Sequence, residues 1–164
     1  MSSTGSYVDA LRGGLDACNV RVAIVASRFN ADITDSLVEG ARKALKEHGG
    51  QDADMTVIRV PGAWELPQTA ARAVASGRFD AVVTLGCVIR GETPHFHYVC
   101  QEASLGLGAV ARSSDVPVLF GVLTTDDRAQ ALARAGEGRD NKGYEAAVAA
   151  LEMVGVYRSL RGTS

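Results

Sequence analysis

The chain contains little cysteine: three residues in 164, Cys18, Cys87 and Cys100, with no Cys-x-x-Cys pair among them. Three widely spaced cysteines do not form a disulfide framework, and they are typical of a protein from a reducing compartment. No apolar stretch comes near the roughly 20 residues that a membrane span needs. The first residues, MSSTGSYVDALRGG, lack the basic and apolar segments of a signal peptide. We therefore expect a cytoplasmic protein that does not cross a membrane.

Excess positive charge is missing as well. Seventeen Lys and Arg residues against nineteen Asp and Glu residues give a net charge of −2, and the basic residues are spread along the chain. Since a nucleic-acid interface normally needs a basic patch, we expect no nucleic-acid partner, and any phosphate must be recognised locally. The 46% of hydrophobic residues suffices for one folded domain, which we expect to span residues 1–164.

Short apolar runs alternate with helical patterns along the chain. The apolar runs predict strands at 20–27, 54–60, 80–89 and 116–123. Helical patterns follow them within 28–50 and at 63–77, 93–112, 126–136 and 141–160. This alternation predicts an α/β domain of three layers, flavodoxin-like, with a four-stranded parallel sheet. Residues 1–19 form an arm, either loose or adding an edge strand to a neighbouring subunit.

Four predicted loops leave the carboxyl ends of these strands, where parallel sheets bind their ligands. They read SRFN, PGAWE, RGETPH and FGVLTTDD. Phe29 of the first loop would on its own be taken as a packing residue, because single exposed apolar side chains are common. Together, however, the loops bring an aromatic ring, the Glu65 carboxylate, a hydroxyl and a histidine to one rim. That combination predicts a site for a flat polar ligand.

The loop RGETPH predicts the start of a helix, with Thr93 as N-cap, Pro94 in the first position and His95 in the first turn. Free N–H groups at a helix start favour a phosphate. The helix dipole at the same place disfavours an imidazolium, so we expect a neutral His95 that can exchange a proton. The alternative is a histidine that only caps or packs.

Other patterns point to weaker sites. His95 and His97 lie two residues apart, about 200° around a helix, so the sequence predicts no metal site from them. GLGAVA at 106–111 lies within a helical pattern, so we do not interpret it as a dinucleotide-binding motif. Arg134 either caps a helix end or binds a phosphate, and Lys142 is either a surface residue or a ligand contact.

Several segments together resemble the lumazine synthase family, over about residues 20–160: SRFN, VPGAWELP, TLGCVIRGETPHF, VPVLFGVLTTD, RAG and NKG. The resemblance implies condensation of 5-amino-6-(D-ribitylamino)uracil with 3,4-dihydroxy-2-butanone 4-phosphate, the penultimate step of riboflavin biosynthesis. It implies small-molecule substrates and neither a metal nor a redox cofactor. Two alternatives stay open: a flavodoxin-like flavin-binding module, and a catalytically silent paralogue that forms a cage.

The resemblance also implies a role for individual residues. His95 corresponds to the proton-transfer histidine, Phe29 to the ring that stacks on the pyrimidine, and Phe120 to an aromatic supplied by the adjacent subunit. The remaining positions correspond to the ribityl contacts Ala63, Trp64 and Glu65, the pyrimidine contacts Cys87, Val88, Ile89 and Lys142, and the phosphate contacts Glu92, Thr93 and Arg134.

Two positions depart from the family pattern, and one loop bears on assembly. His97 stands where the family often has an acidic residue, and Trp64 is bulkier than the expected phenylalanine.

Members of the family form pentamers or shells of twelve pentamers. The short connection GEGRDNKG resembles that of the shell-forming members, so we expect a homo-oligomer of the shell type, with riboflavin synthase as a candidate partner.

Overall fold

Four parallel strands form the centre of the molecule. The structure, a computed structural model, describes residues 11–162. The strands are β1 (Val22–Ser27), β2 (Met55–Val60), β3 (Ala81–Ile89) and β4 (Val118–Thr125), and their order in the sheet is β2-β1-β3-β4. Every neighbouring pair is parallel, with Val22 of β1 beside both Met55 and Ala81. The predicted four-stranded parallel sheet of flavodoxin-like type is therefore confirmed.

Among the described residues, five α-helices cover the two faces of this sheet: α1 (Ala31–Glu47), α2 (Leu66–Ala75), α3 (His95–Ser113), α4 (Arg128–Ala133) and α5 (Lys142–Leu160). Alternate residues of β1 point to opposite faces, as the two-residue period of a strand requires. Ile24 packs in the core beneath α1 and α5, whereas Val25 packs beneath α2 and α3. The result is the predicted three-layer arrangement, and no helix within residues 11–162 is long and apolar enough to cross a bilayer.

Two predicted boundaries shift. The strand expected at 116–123 runs from Val118 to Thr125, because the Ser114 hydroxyl bonds to both main-chain groups of Val116 and holds residues 114–116 in a turn. Thr93, expected as the N-cap of the third long helix, does not cap it. Pro94 occupies that position and the helix begins at His95. Ile89, the last residue of β3, pairs with Thr125 of β4, and the N–H of the next residue, Arg90, donates to the Thr125 carbonyl. The chain therefore leaves the sheet only after Arg90, and residues up to 94 form the turn that precedes the helix.

The predicted arm is described only in part. Residues 1–10 lie outside the described residues, and residues 11–19 contain no strand. Ala17 donates to the His48 carbonyl, and Gly13 lies against the main chain of Glu152 in α5. This part of the arm therefore packs on its own chain, and pairing of the preceding residues with a neighbouring subunit stays a prediction.

Helices α1 and α5 approach each other so closely that one contact requires a glycine. A Cβ atom on Gly143 would lie 1.9 Å from the Leu37 carbonyl oxygen. Backbone cannot move away as a flexible side chain can, so any larger residue must separate the two helices.

We expect Gly143→Ala to lower the free energy of unfolding by about 1–3 kcal/mol or more, the usual cost of overpacking. Urea denaturation followed by circular dichroism measures this. Gly14→Ala is the matched control, because a Cβ there meets no atom of residues 11–162. Equal stability of the two variants would show that the contact relaxes without cost.

Candidate active site

The sheet order places a crevice between the carboxyl ends of β1 and β3. From β1 the chain continues to one side of the sheet and from β3 to the other, and ligands of open α/β sheets bind at such a switch point. A cleft of about 590 Å³ opens there. We call it the rim cleft. Nine of the thirteen predicted site residues line it: Phe29, Ala63, Trp64, Glu65, Cys87, Val88, Ile89, Thr93 and His95.

Two aromatic side chains form exposed walls of the rim cleft. Phe29 follows β1 and is 71% exposed, while its N–H donates to the Pro61 carbonyl. Trp64 lies in a short 3₁₀ turn after β2 and is 51% exposed. Exposure of this size shows that Phe29 does not act as a core residue in this chain. Its ring is available to stack on a planar ligand.

Glu65 is held in place by its own turn. One carboxylate oxygen accepts a hydrogen bond from the Gly62 N–H at 3.0 Å. This bond closes the turn between β2 and α2, and the other carboxylate oxygen remains able to accept hydrogen bonds from hydroxyl groups of a ligand. Ala63, in the same turn, is buried and contributes a main-chain wall to the cleft.

The end of β3 provides the floor of the rim cleft through Cys87, Val88 and Ile89. Burial raises the pKa of the Cys87 thiol to about 11. Since the thiolate is the nucleophilic form, Cys87 stays an unreactive thiol at neutral pH, and its contribution to the floor comes from shape and main-chain groups.

The turn before α3 presents main-chain donors to the rim cleft. Within residues 11–162, the N–H groups of Glu92, Thr93 and His95 have no protein acceptor. His95 is exposed and lines the cleft beside Thr93. Glu92 is exposed as well, but it does not line the rim cleft. Free donors and the positive end of a 19-residue helix form a place for an anion.

His97 lies apart from His95, as the helical spacing predicts. Its Nε2 is 3.2 Å from a guanidinium nitrogen of Arg90, which also pairs with Asp126. Because a guanidinium only donates, this contact is a hydrogen bond only when Nε2 carries no proton. No group of three or more His, Cys, Asp or Glu side chains among residues 11–162 could hold a metal ion.

Phe120, Arg134 and Lys142 line a different cleft, of about 480 Å³, formed by β4, α5 and the end of α4. We call it the β4 cleft. It shares no lining residue with the rim cleft. Phe120 is 49% exposed on a strand at the sheet edge. Arg134 ends α4 and donates to the Gln130 carbonyl at 2.9 Å, and Lys142 pairs with Glu145 at 2.8 Å. On a single chain these three residues therefore lie apart from the nine predicted residues that line the rim cleft.

Sequence reasoning missed Asn30. Its side-chain amide donates to the Cys87 carbonyl at 2.9 Å and so connects the Phe29 loop to β3 across the switch point. Its main chain is left-handed, with φ of 59°, and its carbonyl accepts from Ile33 and Thr34 at the start of α1. The signal that could have revealed it is an asparagine between a strand and a helix, since asparagine tolerates this conformation.

We expect the cysteines to differ in reactivity. At pH about 8, iodoacetamide should modify the exposed Cys18 and leave the buried Cys87 as a thiol, because a pKa of about 11 leaves roughly one thiolate in 10³. Mass spectrometry of the native protein measures this, and denatured protein, in which all three react, is the control. Equal native labelling of Cys87 and Cys18 would contradict the expected burial.

Comparison with known proteins adds to this geometry. The family model described as 6,7-dimethyl-8-ribityllumazine synthase matches residues 19–158. A 6,7-dimethyl-8-ribityllumazine synthase of Chlorobaculum tepidum is 48% identical over 153 residues, which cover 93% of this chain and 99% of the relative. One of Chlorobium chlorochromatii is 44% identical over 154 residues, which cover 94% and 99%.

Proposed function

The chain belongs to the 6,7-dimethyl-8-ribityllumazine synthase family, and from this premise we propose which of its residues perform the family's reaction. It is a transferase of riboflavin biosynthesis. It condenses 5-amino-6-(D-ribitylamino)uracil with 3,4-dihydroxy-2-butanone 4-phosphate to 6,7-dimethyl-8-ribityllumazine, phosphate and water. No observation favours a flavin-binding module or a silent paralogue over this enzyme.

The observation behind the residue assignment is the rim cleft itself. Phe29 stacks on the pyrimidine, main-chain groups of Cys87, Val88 and Ile89 bind its edge, and the turn with Ala63, Trp64 and Glu65 holds the ribityl chain. The exposed Phe29 ring, the floor of β3 and the fixed Glu65 carboxylate support this division. A planar heterocycle with a polar tail suits a cleft that combines an aromatic wall with directed polar groups.

The start of α3 binds the phosphate of the second substrate. The free N–H groups of Glu92 and Thr93 donate hydrogen bonds to it, and Arg134 supplies a charge-assisted partner. In the condensation, the pyrimidine amine forms an imine with the ketone and releases water, phosphate then leaves, and the ring closes with loss of a second water. His95, beside the anion site, takes a proton from one group and returns it to another. Holding the two substrates together supplies much of the rate.

We expect purified protein to form the fluorescent lumazine from the two substrates, and His95→Ala to reduce kcat by roughly 10²-fold without abolishing turnover, because general acid–base catalysis contributes about 10²–10⁴-fold. Steady-state fluorescence assays measure both. His97→Ala is the matched control, since His97 lies outside the rim cleft. A folded His95→Ala enzyme that binds substrate and has no turnover would contradict a role limited to proton transfer.

The complete site needs two copies of the chain, because Phe120, Arg134 and Lys142 belong to a cleft that is separate from His95 on one copy. The rim cleft of one copy faces the β4 cleft of its neighbour in this proposal, so that Phe120 and Lys142 meet the pyrimidine and Arg134 meets the phosphate. Exposed apolar side chains beside the rim cleft support it: Trp64, Tyr98 and Leu105 are all more than half exposed. Apolar patches of this kind mark interfaces.

Co-assembly of two variants tests the shared site. When His95→Ala and Arg134→Ala subunits assemble together, we expect about a quarter of the sites to regain both residues, because each residue comes from a different copy. Activity at low substrate concentration measures the recovery. His95→Ala with Phe29→Ala is the control, since both residues lie in the rim cleft and no mixed site regains both. Absence of recovery in the first mixture would place the whole site on one copy.

A site shared between copies requires a homo-oligomer, which is a pentamer in the family that the sequence resembles. We propose that twelve pentamers form a shell, because the connection between α4 and α5 is short. Light scattering of the same preparations tests this step. A monomer would contradict the shared site, and a particle of five subunits would contradict the shell alone. In this proposal the whole chain acts as one domain, and riboflavin synthase is a partner. The location is the cytoplasm, which the three free cysteines support.

A further inference from the structure

Arg134 and Lys142 are joined through the main chain. The Lys142 N–H donates to the Arg134 carbonyl at 2.9 Å, closing a loop formed by residues 135–141. The two cations of the β4 cleft therefore stand at the two ends of one closed loop. Their relative position depends on whatever fixes the conformation of that loop.

Asn141 fixes this loop from inside. It is only 3% exposed and its side chain makes four hydrogen bonds. The side-chain oxygen accepts from the N–H groups of Gly143 at 2.8 Å and Tyr144 at 3.1 Å, at the start of α5. The side-chain nitrogen donates to the carbonyls of Gly136 at 2.9 Å, within the loop, and Ser36 at 3.1 Å, in α1. One side chain thus connects the loop, α5 and α1.

The surroundings of Asn141 are shaped for this side chain. A Cβ on Gly40 of α1 would lie 2.2 Å from the Asn141 side-chain oxygen, so the close approach requires a glycine there. Capping of α5 alone does not explain the asparagine, because serine or aspartate caps a helix equally well. Neither of them offers two N–H donors beside an acceptor. The two bonds to Gly136 and Ser36 are what only an amide of this size provides.

We propose that Asn141 is a positioning residue, which holds Arg134 and Lys142 at a fixed separation so that the β4 cleft binds both substrates at once. This inference rests on the proposed function, since it requires Arg134 to contact the phosphate and Lys142 the pyrimidine. It assigns to Asn141 no contact with either substrate. The effect on the reaction passes through the loop.

The test is the Asn141→Asp variant, which keeps the helix cap and replaces the two donors by a carboxylate oxygen facing two carbonyls. We expect the KM values of both substrates to rise together, each by about tenfold, because losing hydrogen bonds that fix the loop releases both cations. The value of kcat should change less than either KM. Asn141→Ser, which also caps the helix and lacks the donors without adding charge, should give the same pattern and serves if the aspartate variant does not fold.

Two controls separate positioning from general stability. Tyr144→Phe removes the 2.6 Å bond from the Tyr144 hydroxyl to Glu47, another contact between α5 and α1, and keeps all four hydrogen bonds of the Asn141 side chain. It should lower the melting temperature and leave both KM values unchanged. Asn19→Asp makes the same chemical change at an exposed turn outside both clefts and should change neither quantity.

Single variants distinguish failure of this inference from failure of the proposed function. Arg134→Ala should raise the KM of the phosphate substrate and Lys142→Ala that of the pyrimidine. If both do so while folded Asn141 variants leave the KM values unchanged, or raise only one of them, the positioning role is overturned. If Arg134→Ala and Lys142→Ala change neither KM, the assignment of the β4 cleft is overturned, and the inference with it.

Discussion

In a sheet whose four strands are all parallel, each strand must be followed by a crossover that returns the chain to the other end of the sheet. All loops leaving the carboxyl ends therefore collect on one rim, and the rest of this structure depends on that requirement. The order β2-β1-β3-β4 adds a crevice, because the chain turns to opposite sides after β1 and β3. Phe29 and the floor formed by Cys87 both line this crevice.

The two clefts are separated by the same architecture. The rim cleft lies at the centre of the sheet, whereas Phe120 belongs to β4, at its edge, and Arg134 and Lys142 belong to the two helices that follow β4. A residue at an edge strand is well placed to reach a neighbouring copy and poorly placed to reach the middle of its own sheet. In the proposed shared site, this separation makes the reaction depend on assembly, since each copy would contribute to two different sites.

Two asparagines hold the loops beside these clefts, and both do so through hydrogen bonds of a side-chain amide. Asn30 connects the Phe29 loop to Cys87 through one amide hydrogen bond, and Asn141 connects the loop of the two cations to α1 and α5 through four. An amide offers donors and an acceptor without a charge, so it can join main-chain groups in places where burying a carboxylate or an ammonium would be costly. Loops between regular elements thereby acquire a definite shape.

Much of the fold and of the rim could be predicted from the sequence. The strands at 20–27, 54–60 and 80–89 agree with the observed elements to within two residues at each end, because β-branched apolar runs rarely fit anything but a buried strand. The separation of His95 from His97 also followed from helical spacing alone. The N-cap at Thr93 was wrong, because the turn 90–94 is set by the pairing of β3 with β4, which local propensity does not contain.

What the sequence determined by itself was periodicity and local chemistry: a parallel α/β sheet, an aromatic loop, a helix start next to a histidine, and the family that these motifs resemble. Only the tertiary structure decided which of those groups share a cleft. Strand order brought Phe29 and Cys87 into one cleft and left Phe120 in another, and close packing of α1 on α5 buried Asn141 against Gly40. Contacts of this kind join residues far apart in the chain, and they depend on the whole packed arrangement, which no local pattern specifies.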